Sequence, residues 1–225
     1  MHSLIATSIV GATLAASASA QSAATSVALD SATRINAANA LVRDGKVAEA
    51  IAEYQQVPVT HADREQLTYN LGVAEYRAGN INAAKTHFTE AAASSQPSLA
   101  ARSRYNLGNC FYSEAVKATE QGNSATEHDN SADTAPLLAE RSSGTKSEVA
   151  KQNLSTAIDA LRQAIGHYRG SLTVEPNNTD ARANIELAGQ LLRKLQEAQK
   201  QDQQQQDQQQ QDQQQQDQQQ QDQQQ

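Results

Sequence analysis

Apolar residues recur along this chain at the three- and four-residue spacing of helices, and no run alternates as a half-buried strand would. Arg34–Arg43 and Ala48–Gln56 are predicted as one helix pair, Ala62–Ala78 and Ile81–Ala93 as a second. A fifth helix begins at Pro97, a residue suited to a first turn where no N–H is needed. Leu154, Ile158, Leu161, Ile165, Tyr168 and Leu172 follow at spacings of 4, 3, 4, 3 and 4, an unbroken apolar stripe. That helix stops before Pro176, because proline disfavours helical geometry in the residue before it. A last helix runs from Asp180 to about Lys200, with apolar Ile185, Leu187, Leu191, Leu192 and Leu195. Asn80 is a candidate N-cap, Thr145 with Glu148 a capping box, and Asn178 or Thr179 the cap of the last helix.

Two stretches are identical, Tyr69-Asn70-Leu71-Gly72 and Tyr105-Asn106-Leu107-Gly108, set 36 positions apart. Gly45 and Gly79, Ala50 and Ala84, and Tyr54 and Phe88 are each 34 apart. A repeat of this size is one supersecondary unit that cannot bury its apolar face alone, so units stack. The small residues Gly72 and Gly108, with Ala50, Ala84 and Ala164, mark places where helices of a pair approach closely. Tyr54, Phe88 and Tyr168 fill space between pairs. The third unit departs from the plan, because a polar stretch over about Thr119–Gly144 separates its helices and reads as an inserted, disordered loop. Glu186 replaces glycine in the last helix, which suits a terminal helix that needs no further neighbour.

The two ends carry different signals. Leu4–Ala16 is a short apolar run followed by Ala18-Ser19-Ala20, the shape of an export signal cleaved after Ala20. The run is shorter than the roughly 20 residues a membrane span needs. Residues 21–30 read as a linker. Residues 201–225 are five copies of Gln-Asp-Gln-Gln-Gln with no apolar side chain, so this tail joins no core. Glutamine is a good helix former, and the preceding helix can run on into it.

The chain has 225 residues and a net charge of −7. Five of its 25 acidic residues are tail aspartates, which leaves 18 basic and 20 acidic residues in the body, a net of −2. A near-neutral body without a basic stripe argues against nucleic acid. It also lacks the Lys/Arg clusters that attract anionic lipid. Cys110 is the only cysteine, so no internal disulfide forms, and beside Phe111 it reads as a small buried helix residue. The histidines show no His-x-x-x-His spacing, and neither a phosphate loop nor a Gly-x-Ser-x-Gly elbow is present. The chain is therefore expected to be no enzyme, with no cofactor and no metal.

The helix-pair pattern over residues 31–94 resembles the tetratricopeptide repeat (TPR). The resemblance implies an all-α fold: a TPR-type α-solenoid of about three helix pairs plus a terminal capping helix, its third pair split by the insertion. Units 1 and 2 and the first helix of unit 3 would fill 31–118, the insertion 119–144, and the remaining helices 145–200. It also implies that the first helix of each pair lines a partner-binding groove. The groove positions carry over to Ile35, Asn39, Val42 and Arg43 in the first unit, Tyr69, Val73, Tyr76 and Arg77 in the second, and Arg102, Tyr105, Asn109 and Tyr112 in the third. The carboxylate-clamp form of the family is matched only in part: Asn39 and Asn70 stand at its two asparagines and Arg102 replaces a lysine, but Ile35 and Asn106 stand where two of its cations belong, so a C-terminal carboxylate ligand is not specially indicated.

A closer resemblance lies in the order Tyr105-Asn106-Leu107-Gly108-Asn109, His167-Tyr168-Arg169, Pro176, Asp180-Ala181-Arg182-Ala183-Asn184-Ile185-Glu186 and a Gln-rich run. This order is similar to the TPR proteins of Bacteroides aerotolerance (Bat) operons. It implies an exported, non-catalytic scaffold of the periplasm or cell envelope that works with von Willebrand A-type membrane proteins. A structural element that oligomerises through its long helix and tail, or an accessory subunit of an envelope enzyme, is the alternative.

Overall fold

The computed structural model describes residues 30–58, 64–127 and 136–222. All regular structure among them is helical: α1 (residues 30–43), α2 (Val47–Gln55), α3 (Arg64–Arg77), α4 (Ile81–Ala91), α5 (Pro97–Glu127), α6 (Pro136–Leu172) and α7 (Thr179–Asp222). The expected export signal, nearly all of the linker and residues 128–135 of the expected insertion lie outside the described residues. The chain divides into two compact units, Met1–Ser103 and Arg104–Gln225, with the boundary inside α5.

In the first unit, α1 and α3 end in the same way for the same reason. Gly45 and Gly79 take φ of 77° and 80°, a left-handed conformation that costs a side-chain-bearing residue roughly 1–2 kcal/mol. The turn lets Lys46 N–H reach Leu41 O at 2.9 Å and Gly45 N–H reach Val42 O at 3.3 Å. Asn80 to Glu75 and Gly79 to Tyr76 repeat the pattern at 2.9 and 3.1 Å. These paired bonds satisfy carbonyls that a helix end otherwise leaves open, and they reverse the chain into the next helix. Asn80 precedes α4 as expected but does not cap it with its side chain. Its Nδ2 instead donates to Glu75 Oε2 at 2.7 Å, tying the turn back to α3.

The first core joins α1, α2 and α3 through Ala38, Val42, Ala50, Tyr54, Val57, Leu67 and Ala74, with Ile35, Leu41, Val47, Ile51 and Leu71 packed against it. α1 begins four residues before the expected start. Ser31, fully buried, donates to Pro58 O at 2.8 Å, and Asp30 pairs with Arg34 one turn on. α3 packs on α4 where Gly72 faces Phe88. A methyl group at Gly72 would lie 2.8 Å from the Phe88 ring, so only glycine allows the approach. Pro97 opens α5 as expected.

The second unit holds the rest of α5 with α6 and α7. Its core contains Ala115, Ala118, Ala157, Ile158, Ala160, Leu161, Ala188 and Leu195, joined by half-buried Tyr112, Leu154, Ile165, Leu191 and Leu192. The predicted stripe of α6 is thus the face it buries. Gly108 repeats the role of Gly72, since a methyl group there would fall 2.5 Å from Tyr168 Cδ1. Cys110 is buried as expected.

Two expectations change here. α5 continues through residues 119–127 and α6 starts at Pro136, so the expected loop is helical on both sides. Ala118 sits in the core, and Thr119 Oγ1 donates to Ala115 O at 2.9 Å. Thr145 and Glu148 lie inside α6 and start no helix. Leu187 is 50% exposed, because α7 buries Ala181, Ala188 and Leu195 at seven-residue spacing and Leu187 falls off that line. The tail is helical to Asp222. Asn178 does cap α7, accepting from Ala181 N–H at 2.9 Å.

Candidate partner-binding surface

The expected groove residues sit on α1, α3 and α5, but they divide by what already holds them. In the first unit Val42 is only 8% exposed and belongs to the core, so it is not open to a partner. Ile35 is half-buried against the same core. Arg43 and Arg77 are exposed, and Val73 and Tyr76 are half-buried. Arg77 Nη1 donates to Val42 O at 3.1 Å. Tyr69 lies tilted against Phe88 with ring centroids 5.8 Å apart, and the Arg102 guanidinium stands 5.2 Å above its ring. A cation over an aromatic face gains about 0.5–1 kcal/mol at an exposed site, so this pair is pre-positioned at low cost.

Asn39 is not free to greet a ligand through its carbonyl. Its Oδ1 accepts from Tyr54 OH at 2.5 Å and from Asn70 Nδ2 at 3.2 Å. Gln66 Nε2 in turn donates to Asn70 Oδ1 at 2.8 Å. One asparagine thereby pins α2 and α3 to α1. Burial pushes the Tyr54 hydroxyl above its usual pKa, with the charges of Arg43 and Arg77 pulling the other way.

The second unit builds the same device from other residues. Asn109 Oδ1 accepts from Tyr168 OH at 2.9 Å and from Asn184 Nδ2 at 3.3 Å. Asn184 Nδ2 also reaches Tyr105 OH at 3.3 Å. Tyr105, expected to point into a groove, lies tilted on Tyr168 with centroids 5.7 Å apart. Tyr112 packs against the core. Arg102, at the end of the first unit, is exposed. Tyr168 and Phe88 fill the space inside their own helix pairs, against Gly108 and Gly72, rather than between pairs.

Sequence reading missed this asparagine–tyrosine device, although a signal was present. Aligning Ala38, Gly72 and Gly108 puts Asn39, Val73 and Asn109 in register, and their aromatic counterparts are Tyr54, Phe88 and Tyr168. Where the aromatic has a hydroxyl, the facing helix supplies an amide; where it is Phe88, the position is valine. Also unforeseen is His167 stacked on Phe111, ring centroids 5.3 Å apart and planes at 4°. Burial, and then the Arg104 charge, hold its imidazole below the ordinary value.

Among the described residues no group of three His, Cys, Asp or Glu side chains could hold a metal ion. No helix among them is long and apolar enough to cross a membrane. No protein-family model matches the chain, and no curated protein matches it.

Proposed function

We propose that this chain is an exported, non-catalytic TPR-type scaffold that holds a protein partner in the cell envelope. The observation that carries the reading is the recurrence of one packing device. Gly72 lies under Phe88 and Gly108 under Tyr168, and the Asn39–Tyr54–Asn70 bonds recur as Asn109–Tyr168–Asn184. Recurrent helix pairs with equivalent internal joints are the building unit of an α-solenoid, whose exposed first-helix faces bind other chains. On this reading α1/α2, α3/α4 and α5/α6 are the three pairs and α7 closes the last.

On this reading the surface that meets a partner is formed by Tyr69, Val73, Tyr76, Arg43, Arg77 and Arg102. Tyrosine supplies rigid apolar area with a polar tip, and arginine supplies a planar donor; both residue types concentrate at interfaces. The Bat-like residue order makes von Willebrand A-type membrane proteins the partner class to test first. Affinity capture from solubilised envelope membranes with the wild-type chain and the Tyr76→Ala/Arg102→Ala variant tests the reading. The variant is expected to lose the captured protein while its circular dichroism stays native. Unchanged capture by a natively folded variant would sink the proposal.

A further inference from the structure

Arg43 and Arg77 stand on α1 and α3 of the first unit, and neither makes an ion pair among the described residues. Arg77 Nη1 donates to the carbonyl of Val42, the residue before Arg43, at 3.1 Å. Both side chains are exposed, Arg43 on α1 and Arg77 on α3. The ion pairs among the described residues are made by Arg34 and Arg162. Glu75 is engaged by Asn80, and neighbouring Asp44 makes no ion pair among the described residues. Two exposed cations on neighbouring helices, neither in an ion pair among the described residues, leave an acceptor for an anion.

The tail of α7 has the opposite imbalance. Beyond Lys200 it carries five aspartates and no cation, and residues 201–215 are all exposed. Its last turn has no basic residue, although the carbonyl end of a helix favours cations and disfavours acids. A step of five residues turns a helix by about 140° and advances it about 7.5 Å, so the carboxylates face several directions and any approach presents one. The tail carries most of the net acidity of the chain, against a body that is nearly neutral.

We infer that the Asp/Gln tail of one copy docks on the Arg43–Arg77 face of a second copy. This rests on reading the α1/α3 face as an acceptor surface, and it names the acidic helix that face takes. The contact is head-to-tail, so one copy can both give a tail and receive one. Exposed ion pairs are individually weak and screened by salt, so the association is expected to be reversible and salt-dependent.

Sedimentation of the full-length chain over a concentration series tests it, at about 0.01 M and about 0.1 M salt, where the screening length falls from about 30 to about 10 Å. The average mass is expected to rise with concentration at low salt, with affinity falling about tenfold or more at the higher salt. Arg43→Gln/Arg77→Gln and Asp202→Asn/Asp207→Asn/Asp212→Asn/Asp217→Asn/Asp222→Asn should each abolish the rise. Combining Arg43→Glu/Arg77→Glu with Asp202→Lys/Asp207→Lys/Asp212→Lys should restore it, which excludes simple misfolding of the arginine variant. A chain that stays monomeric at every concentration overturns the inference. So does self-association that survives either neutralisation, or that the charge reversal fails to restore. Because the readout needs only the purified chain, it fails or succeeds separately from the membrane capture experiment.

Discussion

Glycine performs two unrelated tasks in this chain, and the difference predicts what alanine does at each. Gly108 is needed for space, because a methyl group there would press into the Tyr168 ring. Overpacking costs about 1–3 kcal/mol, against the roughly 1 kcal/mol that alanine gains over glycine in a helix. Gly108→Ala is therefore expected to destabilise. Gly166 is exposed in α6 with nothing within 4 Å of an added methyl, so Gly166→Ala should stabilise by about 0.5–1 kcal/mol. Urea titrations of the two variants should shift in opposite directions. The asparagine–tyrosine joint makes a second forecast. Tyr54→Phe alone removes a hydrogen bond and should cost about 0.5–1.5 kcal/mol. Asn39→Val/Tyr54→Phe recreates the pairing that Val73 and Phe88 already use, and should be less destabilised than the sum of its single changes. A double-mutant cycle showing simple additivity would contradict the joint. The glycine positions were legible from the repeat, since a recurring glycine has a packing cause. The hydroxyl-to-amide bonds were not, because they depend on side chains 15 and 59 residues apart meeting at one atom.

Helix by helix, apolar spacing placed most elements within a few residues, and the departures have local causes. α1 starts early because Ser31 finds a buried acceptor in Pro58, a contact between residues 27 positions apart that no local pattern announces. α5 runs past its expected end at residue 118 to Glu127, although the sequence there looks polar. Asn80 forgoes its cap because Glu75 offers a better partner for its amide. The contact of α5 with α6 carries a pH dependence through His167. Burial and Arg104 keep the folded imidazole below its ordinary 6.5. Above that value both folded and unfolded chains hold it neutral, and stability does not respond. As pH falls through it, the unfolded chain binds the proton first, and stability declines until the lowered folded value is passed. His167→Phe keeps an aromatic ring on Phe111 and removes the proton site. Between pH 8 and 5 the denaturation midpoint of the variant is expected to fall less than that of the wild-type chain. Equal slopes would show that His167 plays no part.

Across the whole molecule, the tail is the part whose structure and stability diverge. α7 is helical to Asp222, yet residues 201–215 bury nothing. Ending the chain after Lys200 should leave the melting temperature of a dilute sample within a degree or two while reducing the helical dichroism signal. A large fall in melting temperature would mean that the tail supports the core. Local sequence by itself determined the helical class, the two glycine turns, the close approach of helices at Gly72 and Gly108, and the absence of any apolar residue in the tail. These follow from periodicity, backbone conformation and hydrophobicity, which neighbouring residues set among themselves. Tertiary structure alone decided that Val42 is core, that Asn39 and Asn109 join helices, that Tyr105 rests on Tyr168, and that Arg77 reaches the Val42 carbonyl beside Arg43. Each of these depends on which distant side chains meet in space. The same apolar and polar letters serve a groove and a joint equally well until the helices are packed.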